Sequence, residues 1–122
     1  MAKEFQDYIS SLEKIRVPVI AAIHGGCIGG AVDLVTACDI RLASSDAFFC
    51  IQEINIGMAA DVGTLQRLPK IIPDSKMREM AYTGRRMYAD EAKDTGLVSN
   101  TYESQAKMLE AANTLAKEIA TK

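Results

Sequence analysis

Four glycines, Gly25, Gly26, Gly29 and Gly30, and three carboxylates set among apolar residues, Asp33, Glu53 and Asp61, are the positions of this sequence whose types and spacing can do chemistry. The glycines fall between the apolar run Val19-Ile-Ala-Ala-Ile23 and the helix-like stretch that starts at Gly30. Glycines placed where a strand gives way to a helix let the backbone present bare N–H groups to a ligand. A dinucleotide fingerprint needs glycines at offsets zero, two and five, and no register of these four supplies them. A phosphate loop needs Lys-Ser/Thr after its last glycine, where Ala31-Val32 stands. Two uses remain: an oxyanion hole, in which amides stabilise charge developing on a carbonyl oxygen, and close packing of strand against helix.

Each carboxylate also has a plain structural reading. Asp33 falls in the first turn of its helix, where the dipole favours an anion. Asp61, three residues before Thr64, is placed as a helix N-cap. Glu53 follows Phe48-Phe49-Cys50-Ile51, and burial beside such groups raises a carboxyl pKa into the range suited to proton transfer. Together the three acids favour proton chemistry at a carbonyl-bearing substrate. His24, the only histidine, reads as a strand-end residue bonded to backbone, and no serine stands in a hydrolase elbow. Arg67, Lys70, Arg85 and Arg86 read as solvated surface.

The elements that position these groups follow from periodicity. Phe5, Tyr8, Ile9 and Leu12 mark an amphipathic helix over 3–15, and Val17-Pro18 interrupts it. Val19 to Ile23 reads as a strand covered on both faces, and 30–38 as a short buried helix. Residues 39–43 and 47–51 read as strands separated by the turn-like Ser44-Ser45-Asp46, and 53–63 as a functional loop. Thr64 to Leu68 predicts a short helix stopped by Pro69. Asp74 or Ser75 caps a helix to Thr83 that Gly84 ends. A further helix over 90–95 ends in Gly96, a strand follows over 97–102, and a final helix runs over 103–122. In that last helix Met108, Leu109, Ala112, Leu115, Ala116 and Ile119 form an apolar stripe in need of a partner surface. The alternation of helix and buried strand indicates an α/β fold.

Composition narrows the partners. The 122 residues fit one domain, and a formal charge of -2 gives no electrostatic reason to expect nucleic acid or an anionic membrane. Cys27, Cys38 and Cys50, without Cys-x-x-Cys spacing, read as small buried hydrophobes in a reducing compartment. With one histidine a zinc site is not expected, and no metal is assigned. The start, Met-Ala-Lys-Glu-Phe, lacks the apolar core of a secretory signal, and the end, Ala-Thr-Lys, is not a Ser-Lys-Leu address.

Pro18 to Leu34, followed by Ala37-Cys-Asp-Ile-Arg41, resembles the crotonase (enoyl-CoA hydratase/isomerase) superfamily. Glu53-Ile-Asn-Ile-Gly, Gly63-Thr-Leu-Gln-Arg-Leu-Pro and Ala89 to Val98 extend the likeness. Aspartate at 33 and the extra acid Asp61 in Met58-Ala-Ala-Asp-Val-Gly make it most similar to the dienoyl-CoA isomerase branch. The resemblance implies a partial crotonase-type ββα spiral, with 1–103 as the spiral core and 104–122 as the start of a C-terminal helical region. It covers roughly the second half of the family domain. It implies the N–H of Gly30 as half of an oxyanion hole, with Gly29 and Gly26 in the same substrate-binding turn. Glu53 is then the acid/base near carbon 2, Asp61 the group at carbon 6, and Asp33 a supporting polar residue. It further implies an acyl-CoA thioester substrate with no separate cofactor, a homo-oligomer of trimer or hexamer type, and a mitochondrial or peroxisomal setting in fatty acid beta-oxidation. Enoyl-CoA hydration, or a non-catalytic form acting by subunit association, are the alternatives.

Overall fold

The first four strands of the described chain alternate between two sheets, and this alternation sets the architecture. The computed structural model describes residues 17–51 and 67–122. Strand β1 (Ile20–Ile23) belongs to one sheet and β2 (Gly26–Ile28) to the other, before helix α1 (Gly30–Thr36) crosses over. Strands β3 (Ile40–Ser44) and β4 (Phe48–Cys50) repeat the move. β3 lies parallel to β1, Ile20 opposite Ile40, while β4 lies parallel to β2, Gly26 opposite Phe48. Two ββ units therefore stack, with α1 crossing between them.

The rest of the described chain completes both sheets. A single 3-10 turn (Leu68–Lys70) leads to α2 (Asp74–Thr83), and β5 (Arg86–Tyr88) pairs antiparallel with β4. Helix α3 (Ala89–Thr95) precedes β6 (Asn100–Tyr102), which pairs parallel with β3. The sheet orders are β1-β3-β6 and β2-β4-β5. Helix α4 (Gln105–Ala120), capped by the Ser104 hydroxyl accepting from Lys107 N–H at 3.2 Å, packs over β1, β3 and β6.

The core lies between the sheets and the helices. Cys27, Phe49 and Met87, facing one another across β2, β4 and β5, are buried, as are Val32, Leu68, Met80, Leu97 and Val98. Each large apolar side chain buried this way contributes about 1.5–3 kcal/mol.

Two polar devices tie the layers together. The Arg41 guanidinium on β3 donates from Nε to Leu97 O (2.7 Å) and from Nη1 to Cys38 O (2.7 Å) and Val35 O (3.3 Å). It thereby meets the Cys38 carbonyl just beyond α1 and adds a second donor to Val35 O, which also accepts from Cys38 N–H at 3.1 Å. Burial holds this guanidinium below its ordinary pKa. On the other side of the molecule Arg85 makes a two-pronged pair with Glu91 (2.9 and 2.9 Å) and a second pair with Glu79, and Lys76 joins Glu91 at 3.1 Å. This cluster joins α2, β5 and α3.

Several sequence expectations shift. β1 is half-buried at Ile20, Ala21 and Ala22 rather than covered on both faces, because it is the edge of its sheet among the described residues. Gly26–Ile28 and Arg86–Tyr88 are strands that the sequence leaves as turn and loop. Pro69 lies inside the 3-10 turn, and most of the short helix expected over 64–68 falls outside the described residues, Arg67 being helical and Leu68 opening the 3-10 turn. Asp74 begins α2 without capping it and pairs with Arg78 at 2.8 Å instead. Gly84 and Gly96 do end their helices, at φ 67° and 90°. Of the α4 stripe only Met108 is fully buried, and Leu109 stays 44% exposed. Cys38 is half-buried rather than buried. The helix expected over 3–15 and the loop expected over 53–63 lie outside the described residues.

Replacing Arg41 by Met strands the Leu97 and Cys38 carbonyls, so a loss of about 2 kcal/mol is expected in urea unfolding. An unchanged midpoint would contradict the capping role. The Arg85 guanidinium holds the Glu91 carboxyl at about 2, below its ordinary 4.5. The stabilisation is therefore complete above the ordinary value and drains away as pH falls from about 4.5 toward about 2. The stability gap between wild type and Arg85→Leu should narrow across that window, and a gap independent of pH would refute the pairing.

Candidate active site

The glycine stretch is held at both ends by one strand. Phe48 N–H donates to Gly25 O at 3.0 Å, and Gly29 N–H donates to Cys50 O at 2.9 Å, so β4 grips the chain on either side of β2. Gly29 has φ +58°, the left-handed region that costs a side-chain-bearing residue about 1–2 kcal/mol. Its conformation turns the strand directly into α1, and Val32 N–H closes the first turn on Gly29 O at 2.9 Å.

The three glycines named from sequence do different work. Gly26 is a packing position: a Cβ placed there would lie 2.7 Å from Cζ of Phe48. The close packing expected of glycine is thus strand against an aromatic ring on the next strand, not strand against helix. Gly29 spends its amide on Cys50. Gly30 is the first residue of α1, and the amides of a first helical turn have no acceptor inside the helix. Of the three, its N–H is the one offered at the helix start.

Asp33 lies in the first turn of α1, as expected, and is fully buried, together with Val32, Val35 and Thr36, while Ala31 and Leu34 face outward. Its main-chain carbonyl accepts from Thr36 Oγ1 at 2.9 Å. Gly29 is the N-cap residue of α1 and no side chain caps it, so Asp33 does not serve as the cap. A carboxylate taken wholly out of water is retained only where its surroundings compensate the cost. Glu53 stands three positions beyond Cys50, the end of β4, and both Glu53 and Asp61 lie outside the described residues.

Groups around the turn complete the picture. His24 follows β1 as an exposed residue. Asp46 accepts from the Ser44 hydroxyl and from the Gly25 amide, and these bonds hold its carboxyl below the ordinary carboxylate range. Burial pushes the Cys27 thiol up to about 12, and Cys50 Sγ reaches Gly84 O at 3.1 Å, so both behave as small core residues. Among the described residues no three His, Cys, Asp or Glu groups gather to hold a metal. Arg86 is not simply solvated: its guanidinium lies 4.2 Å above the Phe48 ring, whose other neighbour is Tyr88 at 6.1 Å between centroids. Sequence reasoning missed Phe48 altogether. The signal available was its place beside the glycines' partner strand, visible only once β2 is known to pair with β4.

Comparison with known proteins places this geometry. The family pattern described as Enoyl-CoA hydratase/isomerase matches residues 1–122. A Homo sapiens protein named Delta(3,5)-Delta(2,4)-dienoyl-CoA isomerase, mitochondrial, is 56% identical over 119 residues, 97% of this chain and 36% of that protein. An Arabidopsis thaliana protein of the same name, peroxisomal, is 51% identical over 120 residues, 98% of this chain and 43% of that one. The crystal structure of an enoyl-CoA hydratase from Bacillus anthracis superposes with a TM-score of 0.94 at 35% identity, covering 99% of this chain and 46% of its own. The chain spans less than half the length of these relatives.

With a pKa of about 12, the Cys27 thiol has roughly one thiolate in ten thousand at about pH 8. Native protein treated with iodoacetamide should therefore keep Cys27 unmodified and take up label there only after denaturation. Rapid native labelling would show that the strand carrying Cys27 is open.

Proposed function

Because the chain belongs to the enoyl-CoA hydratase/isomerase family, we propose that it supplies the acid/base groups of an isomerase converting a 3,5-dienoyl-CoA to the 2,4-dienoyl-CoA. The Gly30 amide donates to the thioester oxygen. Glu53 as carboxylate removes a proton from carbon 2, and the electron pair spreads through the thioester and the diene as a dienolate. Asp61, protonated beforehand, delivers a proton to carbon 6 as the electrons return, which leaves the two double bonds at 2 and 4. Carbons 2 and 6 are too far apart for one short side chain to serve both, so two carboxylates divide the task. Asp33 lends polarity beneath the oxyanion turn. No electron leaves or enters, and the coenzyme A portion of the substrate is the only cofactor-like group the reaction uses.

What supports this reading above all is the placement of the Gly30 amide and the buried Asp33 on one helical turn, in a chain more than half identical to proteins named for that reaction. Hydratases of the family use glutamates at the positions of both Asp33 and Glu53 to hold a water, and the shorter aspartate here argues against hydration. A homo-oligomer of trimer or hexamer type and a mitochondrial or peroxisomal setting complete the proposal, in line with the names of the relatives.

The test incubates the protein with a 3,5-dienoyl-CoA and follows the ultraviolet absorbance of the conjugated product. Glu53→Gln and Asp61→Asn are each expected to lower kcat by about 10²–10⁴. Full rate in Asp61→Asn overturns the assignment. Faster addition of water to a 2-enoyl-CoA would make the protein a hydratase, and a well-folded oligomer silent on both substrates would make it a non-catalytic partner.

A further inference from the structure

We propose that Phe48 is a positioning residue for the oxyanion turn: its ring, pressed onto Gly26 and covered by Arg86, fixes the separation of β2 and β4 and through it the place of the Gly30 amide. The inference rests on Gly30 being the oxyanion donor and extends that reading to residues that never touch substrate. Three observations carry it.

First, the contact is as close as the backbone allows. A Cβ at position 26 would meet Cζ at 2.7 Å and the two ring Cε atoms at 3.2 and 3.3 Å, so glycine leaves the room that the tip of the ring occupies against β2. Second, the same strand that carries the ring holds both ends of the turn. Phe48 N–H bonds Gly25 O and Cys50 O receives Gly29 N–H, the amide immediately before Gly30. A change in the spacing of β2 and β4 therefore reaches Gly30 through one peptide unit.

Third, the ring is braced from its outer side. The Arg86 guanidinium stacks at 4.2 Å from the ring centroid, and Tyr88 leans against it at an interplanar angle of 51°. Cation–π contact of this kind is worth about 0.5–1 kcal/mol at an exposed site. Arg86 is itself tethered, because Arg85 Nη1 donates to Arg86 O at 3.1 Å while the Arg85 fork is engaged by Glu91. The ion cluster on α2 and α3 is thus connected, through β5 and one aromatic ring, to the turn that carries Gly30.

A ring that merely covered a patch of surface would tolerate a small change at its edge, whereas a ring that sets the turn would transmit it. The experiment compares Gly26→Ala, Phe48→Leu and the double variant. Displacement of catalytic groups by even about an ångström can cost up to about a hundredfold in rate. Gly26→Ala is expected to lower kcat by about tenfold to a hundredfold with KM within about twofold of wild type. It should also speed hydrogen exchange of the Gly29 amide while the thermal midpoint moves little. Phe48→Leu removes the ring that sets the spacing and should by itself lower kcat and speed Gly29 exchange, while in the double variant the added methyl occupies space the ring tip has left, so the combined loss should be clearly smaller than the product of the two single losses. Independent, multiplying losses in the double variant, or Gly29 exchange unaltered in Gly26→Ala, would overturn the proposal. Exchange is read without substrate, so wild-type protein inactive on dienoyl-CoA would count against the proposed reaction while the Gly29 amide still decides the clamp.

Discussion

Phe48 N–H to Gly25 O and Gly29 N–H to Cys50 O are two ordinary backbone hydrogen bonds, of 3.0 and 2.9 Å, yet the placement of the active turn depends on them. β2 is only three residues long, too short to hold its own course, and a strand of that length is stable only when neighbours fix it. β4 is such a neighbour, and it leads on, three residues later, to Glu53. One strand therefore fixes the turn that carries the amide proposed to hold the thioester oxygen. Support of this kind serves pre-organisation, because a donor held in place by its neighbours needs no rearrangement to meet its acceptor.

The remaining structure keeps β4 where it is. On its inner face Phe49 fills the core between Cys27 and Met87, and on its outer face Phe48 is braced by Arg86 and Tyr88. Arg41 closes the far end of α1 and ties it to the chain just before β6, so the helix that begins at Gly30 is anchored at its finish as well as its start. Charge fixes geometry in two places: a half-buried guanidinium donating to three carbonyls, and a partly exposed carboxylate on α3 gathering an arginine and a lysine from two neighbouring segments. A buried polar group is costly when unmet, so the Arg41 contacts also specify which arrangement of layers is allowed.

Elements were legible beforehand where an apolar run, a stripe or a glycine stop marked them: β1, β3 and β4 lie in apolar runs, α4 carries a stripe, and Gly84 and Gly96 end their helices. β2 and β5 are three residues each with no such run around them, and they exist because a partner strand supplies their hydrogen bonds. Gly26 was visible as a special position, but whether it served a ligand or a packing contact depended on Phe48, 22 positions away and brought opposite it only by pairing. Arg41 stood in plain sight within a recognisable motif, although the carbonyls it serves come from residues as distant as Leu97. The burial of Asp33 was foreshadowed by its apolar surroundings, while a helix-start reading alone would have left it on the surface.

The chemical account proposed above rests on two carboxyls acting at opposite ends of one dienolate. The most direct test runs the reaction in deuterium oxide and reads the 2,4-dienoyl product by NMR. With Glu53 proposed to remove one proton and Asp61 to deliver a different one from a carboxyl in exchange with solvent, the account predicts deuterium at carbon 6. Protium fully retained at carbon 6 would contradict it, since a single group would then be carrying the same proton from carbon 2 to carbon 6.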